Sequence, residues 1–284
     1  MNLSRIISGT MNWGVWGVNH SKKDMCKLIS ESFDSGINSF DHADIYGGYT
    51  TEKSFGDAFV DTGIKREDVF FISKCGIMYP SEKLPIKTKH YDYSEDHIIK
   101  SVNNSLEYLQ TDYLDCLLLH RPSPLMDINI IANTVEGLIK SGKIKSFGVS
   151  NFTADQMDMF KGKVEILYNQ INLSLTHLDH MYDGTLDYMQ ANDILPMAYS
   201  PLGLYFKEQD GKIKKVVDKL KNKYGCTDYQ LLISWLLKHP SKIYPVIGTT
   251  KSDRIYKSVD SLKIEIELID WFELLEASVG KRVP

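Results

Sequence analysis

The chain has 284 residues, 43% hydrophobic and 25% charged, the balance of a soluble globular protein with room for a large buried core. Its net charge is -4 and its basic residues are scattered among acids, which disfavours nucleic acid or an anionic membrane as partner. No apolar run approaches the roughly 18 residues of a membrane span, and "MNLSRIISGTMNWG" lacks the apolar block of a signal peptide, so a cytoplasmic location is expected.

In chain order, "RIISGT" at 5 reads as a short buried strand. Met25, Leu28, Ile29 and Phe33 then follow Ser21 at helical spacing, with Asp24 completing a capping box and Gly36 closing the helix. The strands "INSFDHA" at 37 and "VFFISKC" at 69 come next. Ser94, with Glu95 and Asp96 behind it, caps a helix carrying Ile98, Ile99, Val102, Leu106 and Leu109. "YLDCLLLH" at 113 is a strand, and Val135, Leu138 and Ile139 mark a helix ending at Gly142. "IKSFGVSN" at 144 leads to a helix with Met157 and Phe160 after Thr153, and "EILYNQI" at 165 to one with Leu186 and Met189 after Gly184. "ILPMAYSP" at 194 precedes helix-forming sequence over 212–238, broken at Gly225. "IYPVIGTT" at 243 precedes Ile255, Val259 and Leu262 after Ser252, and Leu268, Trp271, Phe272 and Leu275 indicate a last helix packed on the body.

Eight nearly continuous apolar strands alternating with helices predict a parallel sheet buried on both faces, and the length fits a (β/α)8 TIM barrel. The competing doubly wound sheet is disfavoured, because "SGTMNWGVWG" lacks the Gly-x-Gly-x-x-Gly of a dinucleotide fold. No linker or change of composition divides the chain, so residues 1–284 are expected to form one domain. Cys26, Cys75, Cys116 and Cys226 form no C-x-x-C pair, and Cys75 and Cys116 sit in apolar strands as small hydrophobes.

In such a barrel the reacting groups gather at the C-terminal ends of the strands. Those ends supply Asp41 and Tyr46, Lys74, His120, Ser150 and Asn151, Gln170, Tyr199 and Ser200, and "GTTKSDR". Metal binding is not expected: along a strand His42 and Asp44 point one way and Asp41 the other, so the three cannot converge. An Asp, a Tyr, a Lys and a His on adjacent strands suit proton-coupled reduction of a carbonyl. Tyrosine, with a pKa of about 10, is a poor acid at neutral pH, and a lysine cation beside it lowers that value by about 1–3. Lys74 can supply the field, Asp41 can keep the buried ammonium charged, and His120 can orient the substrate oxygen. Singly, these residues could cap a turn, snorkel or fill core; their coincidence at one barrel end points to chemistry.

The ordered pieces "FDHADIYGGYTTEKSFG", "FFISKCG", "YLDCLLLHRP", "GKIKSFGVSNF", "YNQIN" and "AYSPLG" resemble the aldo-keto reductases, most closely the bacterial YdhF-like oxidoreductases, over about residues 5–262. The resemblance implies a barrel that binds NADPH, with NADH less favoured, and reduces aldehydes or ketones. It implies Tyr46 as general acid, Lys74 and Asp41 as its supporting pair, and His120 as the carbonyl-orienting residue. It assigns Ser150, Asn151 and Gln170 to the nicotinamide carboxamide and Tyr199 to stacking on the ring. Gly9, Thr10, Ser200, Leu202, Gly248, Thr249, Thr250, Lys251 and Arg254 complete the implied cofactor contacts. Lys251 and Arg254 also stand at a helix N-terminus, where a bound phosphate would explain two cations. The barrel-bottom hairpin common in the family looks absent, and the C-terminal tail is short, which leaves an open pocket.

Loops 76–93, 121–129 and 202–211 are the expected pocket walls, with Trp13, Met78 and Tyr79 as candidate substrate contacts and Trp16, Tyr49, Tyr205 and Phe206 as further apolar ones. The expected partner is a small carbonyl compound, with the protein a monomer or weak homo-oligomer. The competing functions are a redox-sensing regulatory module that binds the cofactor with little turnover, and a metal-dependent barrel hydrolase.

Overall fold

In the computed structural model, which describes residues 3–207 and 211–283, eight parallel strands close into a barrel of order β1-β10-β9-β8-β7-β6-β3-β2. They are β1 (Ile7–Gly9), β2 (Ser39–Asp41), β3 (Phe70–Cys75), β6 (Cys116–Leu119), β7 (Phe147–Ser150), β8 (Tyr168–Asn172), β9 (Leu195–Tyr199) and β10 (Tyr244–Ile247). β4 (Ile77–Met78) and β5 (His90–Tyr91) form a small antiparallel hairpin beside the barrel. The helices are α1 (Lys22–Asp34), α2 (Thr51–Thr62), α3 (Glu95–Leu109), α4 (Ile128–Lys140), α5 (Ala154–Asp158), α6 (Asp179–Tyr182), α7 (Thr185–Ala191), α8 (Gly211–Tyr224), α9 (Asp228–Leu237), α10 (Ser252–Asp260) and α11 (Leu268–Val279). All eight anticipated strands are present. Among the described residues no strand precedes β1, and no helix is long and apolar enough to cross a membrane.

Local chemistry accounts for several helix starts. Ser21 and Ser94 accept backbone N–H bonds from Asp24 and His97, and Thr153 makes a full capping box with Gln156. Gly225, at φ +60°, separates α8 from α9. Helix α2 was not anticipated, because its apolar stripe is short and shares the inner face with polar residues. Its buried face includes Thr51, Glu52 and Gly56 as well as Phe55, Ala58 and Phe59, and a Cβ on Gly56 would lie 2.1 Å from the carbonyl oxygen of Tyr108. The anticipated last helix, α11, packs on α8 and α9: Trp271 stacks on Trp235 at 5.0 Å, and each indole N–H donates to the other residue's carbonyl.

The strand period of two places one set of side chains in the lumen and the other under the helices. Ile7, Phe70, Ile72, Cys116, Leu118, Tyr168, Met197 and Val246 fill the lumen as one apolar cluster. Gly148 leaves space for it, since a Cβ there would meet Leu118 and Tyr168 at 2.7 Å or less. One step further along each strand the same face presents Gly9, Asp41, Lys74, His120, Ser150, Gln170, Tyr199 and Gly248. The lumen therefore changes from apolar to polar at a single level, the C-terminal mouth.

Candidate active site

Lys74 is the hub of that polar layer. Its ammonium is 1% exposed and donates to Asp41 Oδ1 at 2.7 Å, to the His42 carbonyl at 2.7 Å and to the Tyr46 hydroxyl at 3.1 Å. Burial works against the ammonium, yet Asp41 and Tyr46 outweigh it and hold its pKa above the ordinary lysine value. Asp41 Oδ1 also accepts from the Gln170 amide at 2.9 Å, so the carboxylate is fixed from two strands.

Tyr46 reaches this hub from a turn beyond β2, where Gly47 and Gly48 both adopt positive φ and the Tyr46 carbonyl accepts from the N–H groups of Thr50 and Thr51. Its ring meets His120 edge-on at 6.0 Å and Trp16 at 6.3 Å. Burial raises the phenol pKa more than Lys74 lowers it, which corrects the expectation of a lowered value. The hydroxyl is thus held as a proton donor beside a cation that would favour its anion. Burial, followed by the fields of Lys74, Arg121 and Lys89, holds His120 well below the usual imidazole range, so the ring is neutral. Among the described residues its buried Nδ1 has no hydrogen-bond partner, while the ring lines the cavity.

A cavity of about 700 Å³ opens over these groups. At the tetrad end it is lined by Asp41, Tyr46 and His120, and beside them by Ser150, Asn151, Gln170 and Tyr199. The last four are linked: Ser150 Oγ donates to the Gln170 carbonyl, Asn151 Nδ2 to Ser150 Oγ at 2.8 Å, and Tyr199 OH to Asn151 Oδ1 at 2.9 Å. Asn151 sits at φ +61°, a left-handed conformation that Asn tolerates. From there the cavity passes Ser200 and Leu202 on one side and Gly9, Gly248 and Thr249 on the other, reaching Arg254 in the first turn of α10. Amides and a flat ring at one end, with a cation on a helix N-terminus at the other, fit NADPH laid across the mouth.

Several expected contacts lie elsewhere. Trp13 is fully buried between Phe40 and Phe55, its indole N–H donating to the Thr249 carbonyl, because the apolar layer behind β2 takes the ring before the pocket can. Trp16, 38% exposed, lines the cavity instead. Met78 is paired into the β4–β5 hairpin away from the cavity, while Tyr79 lines it. Tyr49 accepts from the Tyr79 N–H, Tyr205 is buried against Phe206, and none of these three lines the cavity. Thr10 is also buried, its hydroxyl bonded to the Asp41 carbonyl and the His42 ring. Thr250 and Lys251 flank α10 without lining the cavity. Residues 208–210 of the third expected loop lie outside the described residues. Asn12, Lys89, Arg121 and Tyr229 line the cavity and were not singled out, although Lys89 and Arg121 fall in the expected wall loops 76–93 and 121–129.

Behind the tetrad lie two buried carboxyls. Glu52 accepts from Ser73 at 2.5 Å and from Ser105 at 3.0 Å, and Asp44 accepts from Ser101 at 2.9 Å. Burial pushes Glu52 up to about 7, and burial with the nearby Glu52 charge pushes Asp44 up to about 8.

The sequence profile of the aldo/keto reductase family matches residues 5–276. The chain is 38% identical to the uncharacterized oxidoreductase YcsN of Bacillus subtilis, over 100% of this chain and 97% of that one. It is 36% identical to the oxidoreductase YdhF of Escherichia coli, over 99% and 95% respectively. An aldo-keto reductase from Klebsiella pneumoniae, solved in complex with NADPH, has the same fold with a TM-score of 0.79 at 24% identity, covering 96% of this chain and 90% of its own. The full-length match to two oxidoreductases and to the family profile leads to one conclusion: the chain belongs to the aldo/keto reductase family of oxidoreductases.

Proposed function

We propose that the protein is an NADPH-dependent carbonyl reductase with Tyr46 as general acid. The observation that carries this reading is the buried Lys74 ammonium, bonded at once to Asp41 and to the Tyr46 hydroxyl at the mouth of the barrel. A bound NADPH supplies the hydride that reaches the carbonyl carbon. The Tyr46 proton goes to the carbonyl oxygen, giving an alcohol and NADP+.

The residues divide the work by charge. At 3.1 Å, Lys74 attracts the tyrosinate that forms far more than the neutral phenol, a gross Coulomb term of about 5 kcal/mol at an effective dielectric of 20 that the Asp41 charge partly offsets, so the cation favours the transition state. Asp41 keeps Lys74 charged and aimed. Neutral His120 orients the carbonyl oxygen toward Tyr46 by hydrogen bonding. Ser150, Asn151 and Gln170 hold the carboxamide and Tyr199 stacks on the nicotinamide, supported by the linked bonds among them. Gly9, Ser200, Leu202, Gly248 and Thr249 border the rest of the cofactor, and Arg254 grips its phosphate, which favours NADPH over NADH. In this reading residues 1–284 act as one domain in the cytoplasm, as a monomer or weak homo-oligomer.

The test is NADPH oxidation against a panel of aldehydes, dicarbonyls and quinones, with Tyr46→Phe alongside. Turnover in the variant is expected to fall by at least about 10²-fold with NADPH affinity retained. Unchanged turnover removes Tyr46 as the acid. No turnover in either protein, with tight NADPH binding in both, favours a redox-sensing module.

A further inference from the structure

Two basic side chains open onto the cavity beside the reacting groups and have no role in the chemistry above: Arg121 and Lys89. Among the described residues neither is paired with a carboxylate. Arg121 makes one long hydrogen bond, 3.3 Å to the Tyr199 hydroxyl, and lies 5.9 Å from that ring's centre. The Lys89 ammonium lies 6.0 Å from the centre of the Tyr79 ring. Among the described residues the one carboxylate on the cavity wall, Asp41, is taken by Lys74 and Gln170. Arg121 is half-buried and Lys89 exposed; the two other cations most withdrawn from water, Arg66 and Lys74, are bonded to Asp115 and Asp41. The fields of both Arg121 and Lys89 reach His120.

Arg121 is also held in place. Its backbone carbonyl accepts from Tyr93 OH at 2.5 Å, and its N–H donates to the same oxygen at 3.2 Å. The Tyr93 ring in turn closes over Gly76, where a Cβ would come within 2.0 Å of it. The rest of this wall is apolar, formed by Ile45, Ile77, Trp16 and Tyr79. A guanidinium on an anchored stretch of backbone beside the carbonyl-orienting residue, with an ammonium also on the wall, is arranged for an anion at the far end of a short substrate.

We infer that this site selects carbonyl compounds bearing an anionic oxyacid group, a carboxylate or a phosphate, gripped by Arg121 and steered by Lys89. The inference rests on the carbonyl-reductase reading and specifies its substrate class. Kinetics on charge-matched pairs tests it: succinic semialdehyde against butanal, and glyceraldehyde 3-phosphate against glyceraldehyde. The wild type is expected to favour the anionic member of at least one pair by about tenfold to hundredfold in kcat/KM. The pair that responds identifies the oxyacid. Arg121→Met should bring that ratio close to one, Arg121→Lys should restore part of it, and Lys89→Met should lower it with less effect on the fold. A wild-type ratio near one in both pairs, or a ratio untouched by the substitutions at both positions, overturns the inference. So does an Arg121→Met defect accounted for wholly by weaker NADPH binding.

Calorimetry with unreactive ligands separates this failure from that of the reductase reading. Butanoate is expected to bind the NADP+-loaded protein, and butanamide is not. Butanoate binding lost in Arg121→Met, with no aldehyde turned over by any form, keeps the anion site and sinks the reductase. Full turnover of butanal with no preference for the anionic member of either pair does the reverse.

Discussion

Replacing Asp41 by Asn tests the electrostatic core of the site, because it removes one charge and almost no volume. The Lys74 ammonium would keep its bonds to the His42 carbonyl and Tyr46, but at 1% exposure it would lose its counter-ion. Leaving one partner of a buried pair alone costs roughly 3–5 kcal/mol, which at this chain length lowers Tm by on the order of 5–15 °C. The variant can escape part of that cost by folding with neutral Lys74. The lysine pKa would then be lower in the folded than in the unfolded state, the unfolded chain would bind more protons, and stability would rise with pH toward about 10.5. In the wild type the sign is opposite: Lys74 is raised above 10.5, so its contribution is present below that pH and is lost only as pH climbs through the folded value. Denaturant unfolding at pH 6, 8 and 10 should therefore show the gap between Asp41→Asn and wild type narrowing with pH. Adding Lys74→Met should recover part of the stability while NADPH oxidation stays lost. A variant as stable as wild type at pH 7, or a gap that widens with pH, would refute the assignment of Asp41 as the counter-ion.

The carboxyls behind the tetrad predict a second pH dependence of known sign. Glu52 and Asp44 hold protons up to about 7 and about 8 in the folded state, so their contribution is full below the unfolded carboxyl pKa of about 4 and fades as pH rises to 8. Glu52→Gln should flatten the fall in Tm between pH 5 and 8; a profile of unchanged slope counts against a protonated Glu52. Gly76→Ala should destabilise by about 3 kcal/mol or more, since its φ is +104° and the added Cβ strikes the Tyr93 ring, and should also lower kcat by shifting Arg121 and its neighbour His120. Wild-type stability and kcat in that variant would show that Tyr93 does not hold this wall. Arg254→Leu should raise the NADPH dissociation constant by about tenfold to hundredfold and that of NADH much less, as measured by fluorescence titration. An equal loss for both cofactors would remove Arg254 from the phosphate.

Much of the site was legible because strand parity is a local, covalent property. Once β3 is a strand, Phe70, Ile72 and Lys74 share a face, and the same count carries Cys116 and Leu118 on to His120 and Tyr168 to Gln170. A barrel of parallel strands then brings all those ends to one mouth, whatever the loops do. Tyr46, beyond β2, was placed by its position after the strand end rather than by parity, and the Gly47–Gly48 turn that aims it became visible only in three dimensions. Loop and burial outcomes depended on packing between distant segments. Trp13 and Trp16 are three residues apart, yet Phe40 and Phe55 bury the first and leave the second on the cavity. Helix α2 hid because its inner face carries Glu52, whose partners Ser73 and Ser105 lie on β3 and α3. The net charge state of Tyr46 followed the same rule. Sequence supplied a lysine to lower its pKa, but only the closed structure determines how much water is excluded, and that burial outweighs the cation. The sequence alone determined which residue types stand at the strand ends and which way they face. Tertiary structure decided which of them lose water and which loop residues, Arg121 and Lys89 among them, share their cavity, because desolvation and long-range contact exist only once the chain has closed on itself.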